Sequence, residues 1–174
     1  ALDNVSRVAL RKGTMAIGPA DLRTIPLFQD ITDAHLAELL SVLEHVELAE
    51  GQELFRAGDK STHLVLLTRG EIALKEGNDI RFRLRPIAPI GELGALTGLR
   101  RHTTAVATAS SEILRISTTD LMEFFESHGD VAFPFYHNLT RVVADKIRRD
   151  TRRMDEMRAN IIRTQKAMKK LREV

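Results

Sequence analysis

Between Val46 and Ser117 the chain never sustains a helical hydrophobic period, and this limits its fold more than any other feature. His63-Leu64-Val65-Leu66-Leu67, Glu71-Ile72-Ala73-Leu74 and Ile113-Leu114-Arg115-Ile116 are short runs of β type. Gly51, Gly58-Asp59, Gly70 and Gly77-Asn78 separate such runs as turns do. A parallel α/β sheet needs a helix-length crossover between successive strands, and none is present. Many short strands divided by glycine turns instead predict an antiparallel sandwich or jelly-roll barrel.

Helical patterns flank this region on both sides. From Ala20 to Glu44, Pro26 breaks the chain, and Leu36, Leu39, Leu40 and Leu43 then recur at helical spacing. Thr32, followed by Asp33, is placed as the N-cap of that run. Asp120–Ser127 is helical again, with Thr118 or Thr119 placed to cap it. Gly129 interrupts, and Val131 opens a helical pattern reaching nearly to Val174, with Pro134 near its first turn. About 40 helical residues span roughly 60 Å, too long to lie on a small barrel alone. Tyr136, Val143, Met157 and Leu171 share one heptad row; Ile147, Met154, Ile161 and Met168 share the other. Thr140, Asp150 and Thr164 fall in the same rows, with Asp150 placed to fix register. The seam predicts a two-stranded coiled coil and a homodimer; an amphipathic helix on its own barrel or on another domain is the competing reading. Three regions follow: an N-terminal extension (1–19), a barrel domain with flanking helices (20–130) and a long C-terminal helix (131–174).

Charge separates the helix from the body. From Lys146 onward there are eleven Lys/Arg against four Asp/Glu, whereas the rest of the chain carries 15 basic and 20 acidic residues. A basic tail admits a nucleic-acid or acidic-partner reading. The blander reading is a solvated outer helix face. A helix paired through Met168 and Leu171 is a poor groove reader, so direct DNA binding is not expected. Cysteine is absent, which excludes disulfides and cysteine-based metal or nucleophile chemistry and fits a cytoplasmic location. No apolar run approaches the ~18 residues of a membrane span. His35, His45, His63, His102, His128 and His137 form no His-x-His or His-x-x-x-His pair, and no nucleophile elbow, Walker loop or dinucleotide fingerprint occurs. Neither a metal site nor an enzyme is therefore expected.

Candidate chemistry concentrates in Ile90-Gly91-Glu92-Leu93-Gly94-Ala95-Leu96-Thr97-Gly98-Leu99-Arg100-Arg101-His102. Gly91 and Gly94 permit a tight turn and close approach of the backbone. Glu92–Leu96 can form one helical turn whose free N–H groups meet an anion. Arg101 adds a charged, planar donor fork suited to phosphate, and Glu92 offers an acceptor for a sugar hydroxyl. A surface ion pair between Glu92 and Arg101, worth ~0–1 kcal/mol, is the competing reading.

Gly91-Glu92-Leu93 with Arg101 nine positions after Glu92 resembles the phosphate-binding cassette of the cyclic-nucleotide-binding domain family, which includes catabolite activator proteins and kinase regulatory subunits. Glu50–Asp59, with Leu64, Leu66 and Gly70, resembles the family's early strands. Glu112–Ile116 resembles its closing strand and Ile25-Pro26-Leu27-Phe28 its lead-in segment, so the likeness covers about Leu22 to Ile147. The resemblance implies a cyclic mononucleotide ligand, cyclic AMP or cyclic GMP. Glu92 would take the ribose 2′-hydroxyl, Arg101 the cyclic phosphate, and backbone groups of Gly91, Leu93, Gly94 and Ala95 would complete the cradle. His102 stands where the family carries a small or hydroxyl residue. The approach Arg85-Pro86-Ile87-Ala88-Pro89-Ile90 lacks the usual glycine, and the activators' hydroxyl pair falls at Asp150 and Thr151. The implied role is a sensor that passes ligand binding to a fused or separate output domain or partner. A barrel that has lost its ligand and serves to dimerise or dock, or a truncated transcription regulator, is the alternative.

Overall fold

The structure, a computed structural model, describes residues 17–172, so most of the expected N-terminal extension lies outside the described residues. Helix α1 (Pro19–Arg23), a 3-10 turn (Pro26–Phe28) and α2 (Asp33–Val42) lead into the strands. Thr32 caps α2 as predicted, its side chain accepting from the His35 N–H at 3.4 Å. Six strands follow: β1 (Glu44–Leu48), β2 (Glu53–Phe55), β3 (His63–Arg69), β4 (Ile72–Glu76), β5 (Asp79–Leu84) and β6 (Ala88–Ile90). Helix α3 (Glu92–Thr97) then interrupts before β7 (Thr104–Ala107) and β8 (Ser111–Ser117). Helices α4 (Thr118–Ser127) and α5 (Gly129–Arg172) complete the order.

The eight strands form two four-stranded sheets, β1-β8-β3-β6 and β2-β7-β4-β5, with every pairing antiparallel. This is the expected mainly-β jelly-roll architecture with helical flanks. Strand β3 explains why its sequence reads as an unbroken apolar run. Val65 and Leu67 point between the sheets, where they meet Val46, Ile72, Ile90 and Ile113. Leu64 and Leu66 point outward into a second core built by the helices. A strand buried on both faces has no polar alternation to show.

That second core fastens the helices to the barrel. Leu22, Ile25, Leu27 and Phe28 pack with Leu36, Phe125, Val131, Phe135 and Leu139. Phe135 sits between Phe28 and Phe125, ring centroids 5.7 and 4.9 Å away. Asn138, 2% exposed, donates to the Gln29 carbonyl, satisfying a group that the 3-10 turn leaves open.

Three expectations are corrected. Ser117 caps α4, accepting from the Asp120 N–H at 3.0 Å, while Thr118 lies inside the helix and its hydroxyl donates to the Thr62 carbonyl. Helix α5 starts at Gly129 rather than Val131, which puts Pro134 within the helix, where its ring forgoes the bond to the Asp130 carbonyl. The first two members of one heptad row are engaged by the body: Tyr136 packs on the Phe125 ring at 5.7 Å and Val143 lies against the helical core. Beyond them α5 leaves the body. From Asp145 to Lys169 every residue but Ala159 is exposed.

Candidate ligand site

The turn into α3 is shaped by two glycines. Gly91 caps the helix with φ at +65°, a conformation costly for residues with a Cβ. A Cβ there would also collide with the Arg101 guanidinium. At Gly94 a Cβ would run into the Ser61 hydroxyl and the Leu99 carbonyl. Helix α3 therefore lies as close to the neighbouring chain as backbone allows.

Arg101 is held from both ends. Its N–H donates to the Asp59 carbonyl at 2.9 Å, and its own carbonyl accepts from the Gly58 N–H at 2.8 Å. The guanidinium donates from Nη1 to the Gly91 carbonyl at 2.6 Å and from Nη2 to the His63 carbonyl at 2.8 Å. The Phe55 ring lies beneath its Cζ at 4.2 Å, a cation–π contact. Arg101 is only 6% exposed, yet no carboxylate lies within ion-pair distance of it among the described residues. Its Nε has no hydrogen-bond partner, and neither does the buried hydroxyl of Ser61. Burial pulls the Arg101 pKa down while Glu92 and Asp59 oppose it; an arginine nevertheless stays charged. Burial, followed by the charge of Arg115, likewise pushes the His63 imidazole below its ordinary value. A buried cation held by carbonyl dipoles and one aromatic ring, with no counter-charge, is incompletely compensated, and an anion is the group that completes it.

A cavity of about 620 Å³ opens beside this guanidinium, within the ~300–1,000 Å³ of small-molecule sites. Leu74, Phe82, Leu84 and Pro89 form an apolar wall, and Gly91–Gly94 a backbone wall. Leu99, Arg100, Arg101, His102 and Thr103 close a third side, and Lys146 reaches in from α5. Phe82 and Leu99 are 56% and 65% exposed, so the cavity presents apolar surface to whatever enters. Six of the seven sequence-derived site residues line it: Gly91, Glu92, Leu93, Gly94, Arg101 and His102. Ala95 does not; it is buried in the helical core, and its N–H already donates to the Gly91 carbonyl at 3.2 Å. Asp150 and Thr151 do not line it either, and the Thr151 hydroxyl donates to the Ile147 carbonyl of its own helix. Sequence reasoning missed Phe55, whose aromatic ring next to a glycine turn carried no separate signal. It also missed Lys146, which is one cation among many on a basic helix.

The donor set fits a small phosphate ester bearing a sugar: an orphaned buried N–H, a backbone cradle that admits no Cβ, and an adjacent carboxylate. Comparisons with known proteins agree with this geometry. Residues 45–128 match the family model described as "Cyclic nucleotide-binding domain". A cyclic nucleotide-binding-like protein from Brucella abortus is 31% identical, with a TM-score of 0.56 over 62% of this chain and 97% of that one. The N-terminal domain of a transcriptional regulator from Streptomyces coelicolor is 27% identical, with a TM-score of 0.68 over 72% of this chain and 93% of that one. This chain belongs to the cyclic-nucleotide-binding domain family. Relatives also include the lysophospholipase NTE1 of Cryptococcus neoformans, 31% identical over 63% of this chain. The chain spans only 7–27% of the length of the first curated relatives it matches. The family is one of regulatory ligand-binding domains; among the described residues no three metal-binding side chains gather, and no helix is long and apolar enough to cross a membrane.

Proposed function

We propose that this domain is a cyclic-mononucleotide receiver that dimerises through α5 and relays ligand binding to an output domain or partner. The observation that carries the reading is the buried, unpaired Arg101 at the cavity wall, with its Nε unsatisfied. In this reading the cyclic phosphate lies on the Gly91–Gly94 backbone and receives charge-assisted hydrogen bonds from Arg101, each worth ~1.5–3 kcal/mol. Glu92 accepts from the ribose 2′-hydroxyl, and His102 borders the ligand from the exposed side. Ligand biases α5 toward one position by binding the alternatives unequally, and a paired helix carries that bias outward. Dimerisation is supported by the exposed apolar seam: Ile147, Met154, Met157 and Ile161 are 61%, 69%, 59% and 56% exposed at heptad spacing.

A second reading, a barrel without ligand that only dimerises or docks, draws on Arg101's bonds to Gly91 and His63, which make it a rivet between loop and strand. Titration calorimetry with cyclic AMP and cyclic GMP, repeated on Arg101→Ala and Arg101→Lys, separates the two. The receiver reading expects saturable binding, weakened about 100-fold or more in Arg101→Ala. It also expects a clear loss in Arg101→Lys, which keeps the charge but not the fork. Unchanged affinity in a variant that melts normally removes Arg101 from the site. No heat and no thermal stabilisation with either nucleotide leaves the ligand-free reading.

A further inference from the structure

Among the described residues Lys146 is the single residue of α5 that lines the cavity, on a different element from the Gly91–Gly94 turn and Arg101. It is exposed and makes no hydrogen bond or ion pair among the described residues, whereas Arg148, two positions on, pairs with Asp145. We propose that Lys146 reads the base of the bound nucleotide and makes the site selective for a guanine-type base over adenine. The inference rests on the receiver reading above.

The chemistry of the lining favours that choice. Arg100, Arg101 and Lys146 are donors that cannot accept, and Glu92 is the one side chain there that, when ionised, can only accept. With Glu92 engaged by the sugar, the lining side chains that can still accept are His102 and Thr103, which follow Arg101 directly in the chain, and α5 offers an adenine amino group only the donor Lys146. The apolar wall of Leu74, Phe82, Leu84 and Pro89 supplies a surface for a ring system and no hydrogen bonds from side chains. Guanine carries two adjacent acceptors, O6 and N7, where adenine pairs an N7 acceptor with an N6 donor. An ammonium on a flexible four-carbon stem satisfies the first edge and is repelled by half of the second. A misplaced donor facing a donor leaves both unsatisfied, so discrimination comes from rejection as well as attraction.

The test is calorimetric titration of the full chain with cyclic GMP, cyclic AMP and cyclic IMP, which keeps O6 and N7 but lacks the 2-amino group. Wild type is expected to bind cyclic GMP and cyclic IMP alike, each about ten-fold or more tighter than cyclic AMP. Lys146→Met, which keeps the apolar stem, should collapse that preference to within about three-fold, mainly by weakening the guanine-type ligands. Lys146→Arg should preserve it. The proposal is overturned if wild type does not prefer cyclic GMP, or if cyclic IMP behaves like cyclic AMP. It is equally overturned if Lys146→Met weakens all three nucleotides by one factor, which makes Lys146 a phosphate contact. Wild type binding none of them defeats the receiver reading itself, an outcome distinct from binding without selectivity.

Discussion

Helix α5 is one continuous element living in two environments. In its first three turns Phe135 is fully buried and Leu139 nearly so, clamped among the rings and aliphatic side chains of the lead-in segment and α4. About four turns past the last of these contacts, Met154 is 69% exposed, and Leu171 near the helix end is 78% exposed. The two halves share a backbone but not a source of stability. The first is a component of the barrel's core, while the second shows, among the described residues, helix propensity, i,i+3 pairing such as Arg148–Asp145 at 3.5 Å, and a seam that none of those residues covers. A long helix is thus informative by where its burial stops, and here that point falls next to Lys146, where the ligand cavity meets the seam.

The contrast predicts opposite responses to substitution. Phe135→Ala should destabilise the barrel by about 3–5 kcal/mol in thermal or denaturant unfolding, because it empties the junction of Phe28, Phe125 and Tyr136. A loss below about 1 kcal/mol would mean that α5 merely rests on the barrel. The double variant Met154→Lys/Ile161→Lys should instead leave barrel unfolding within about 0.5 kcal/mol of wild type. By light scattering it should convert a dimer to a monomer, with lower helical content. A variant that remains dimeric would move the interface to the barrel and end the distinction between the halves.

The smallest effect is confined to the barrel and appears only in acid. Glu71 bonds to Thr108, Arg83 and Arg85, and these contacts pull its pKa down to about 2, with the Thr108 hydroxyl the leading cause. A carboxylate whose folded pKa lies below its unfolded value adds stability that is complete above the unfolded value, about 4.5. That contribution is lost as pH falls toward 2. Glu71→Gln should therefore flatten part of the acid arm of the barrel's stability curve between about pH 4.5 and 2, and leave dimerisation untouched. An acid arm identical to wild type would remove Glu71 as its source.

Much of this was legible in the chain because it depends on periodicity and on residues whose chemistry has few substitutes. The change from period 3.6 to short glycine-bounded runs marked the barrel, and Gly91, Glu92 and Arg101 marked the cavity. Strand β5 was missed although Asp-Ile-Arg-Phe-Arg-Leu alternates polar and apolar residues as a strand does; exposed along nearly its whole length, it lacks the apolar runs that marked the other strands. The α4 cap was off by one because Ser117, Thr118 and Thr119 all carry a suitable hydroxyl, and only the β8–α4 junction selects Ser117. Ala95 was assigned a cradle role from its place in the motif, but the single turn of α3 uses its N–H internally and presses its methyl into the core. Lys146 needed the path of α5, which no local pattern encodes.

The glycine at 91 and the arginine at 101 occupy each other's space: the guanidinium stands where the first carbon of any larger residue at 91 would go. Substitution at the two positions is therefore ordered in time. While the arginine is retained, a side chain at 91 meets a steric barrier on top of its left-handed backbone. Once the arginine is lost, only the backbone cost remains, and the glycine becomes free to drift. Among descendants of such a barrel, a larger residue at 91 beside a surviving arginine should be the rarest combination, and the joint disappearance of the pair should date the moment a lineage stopped listening to its ligand.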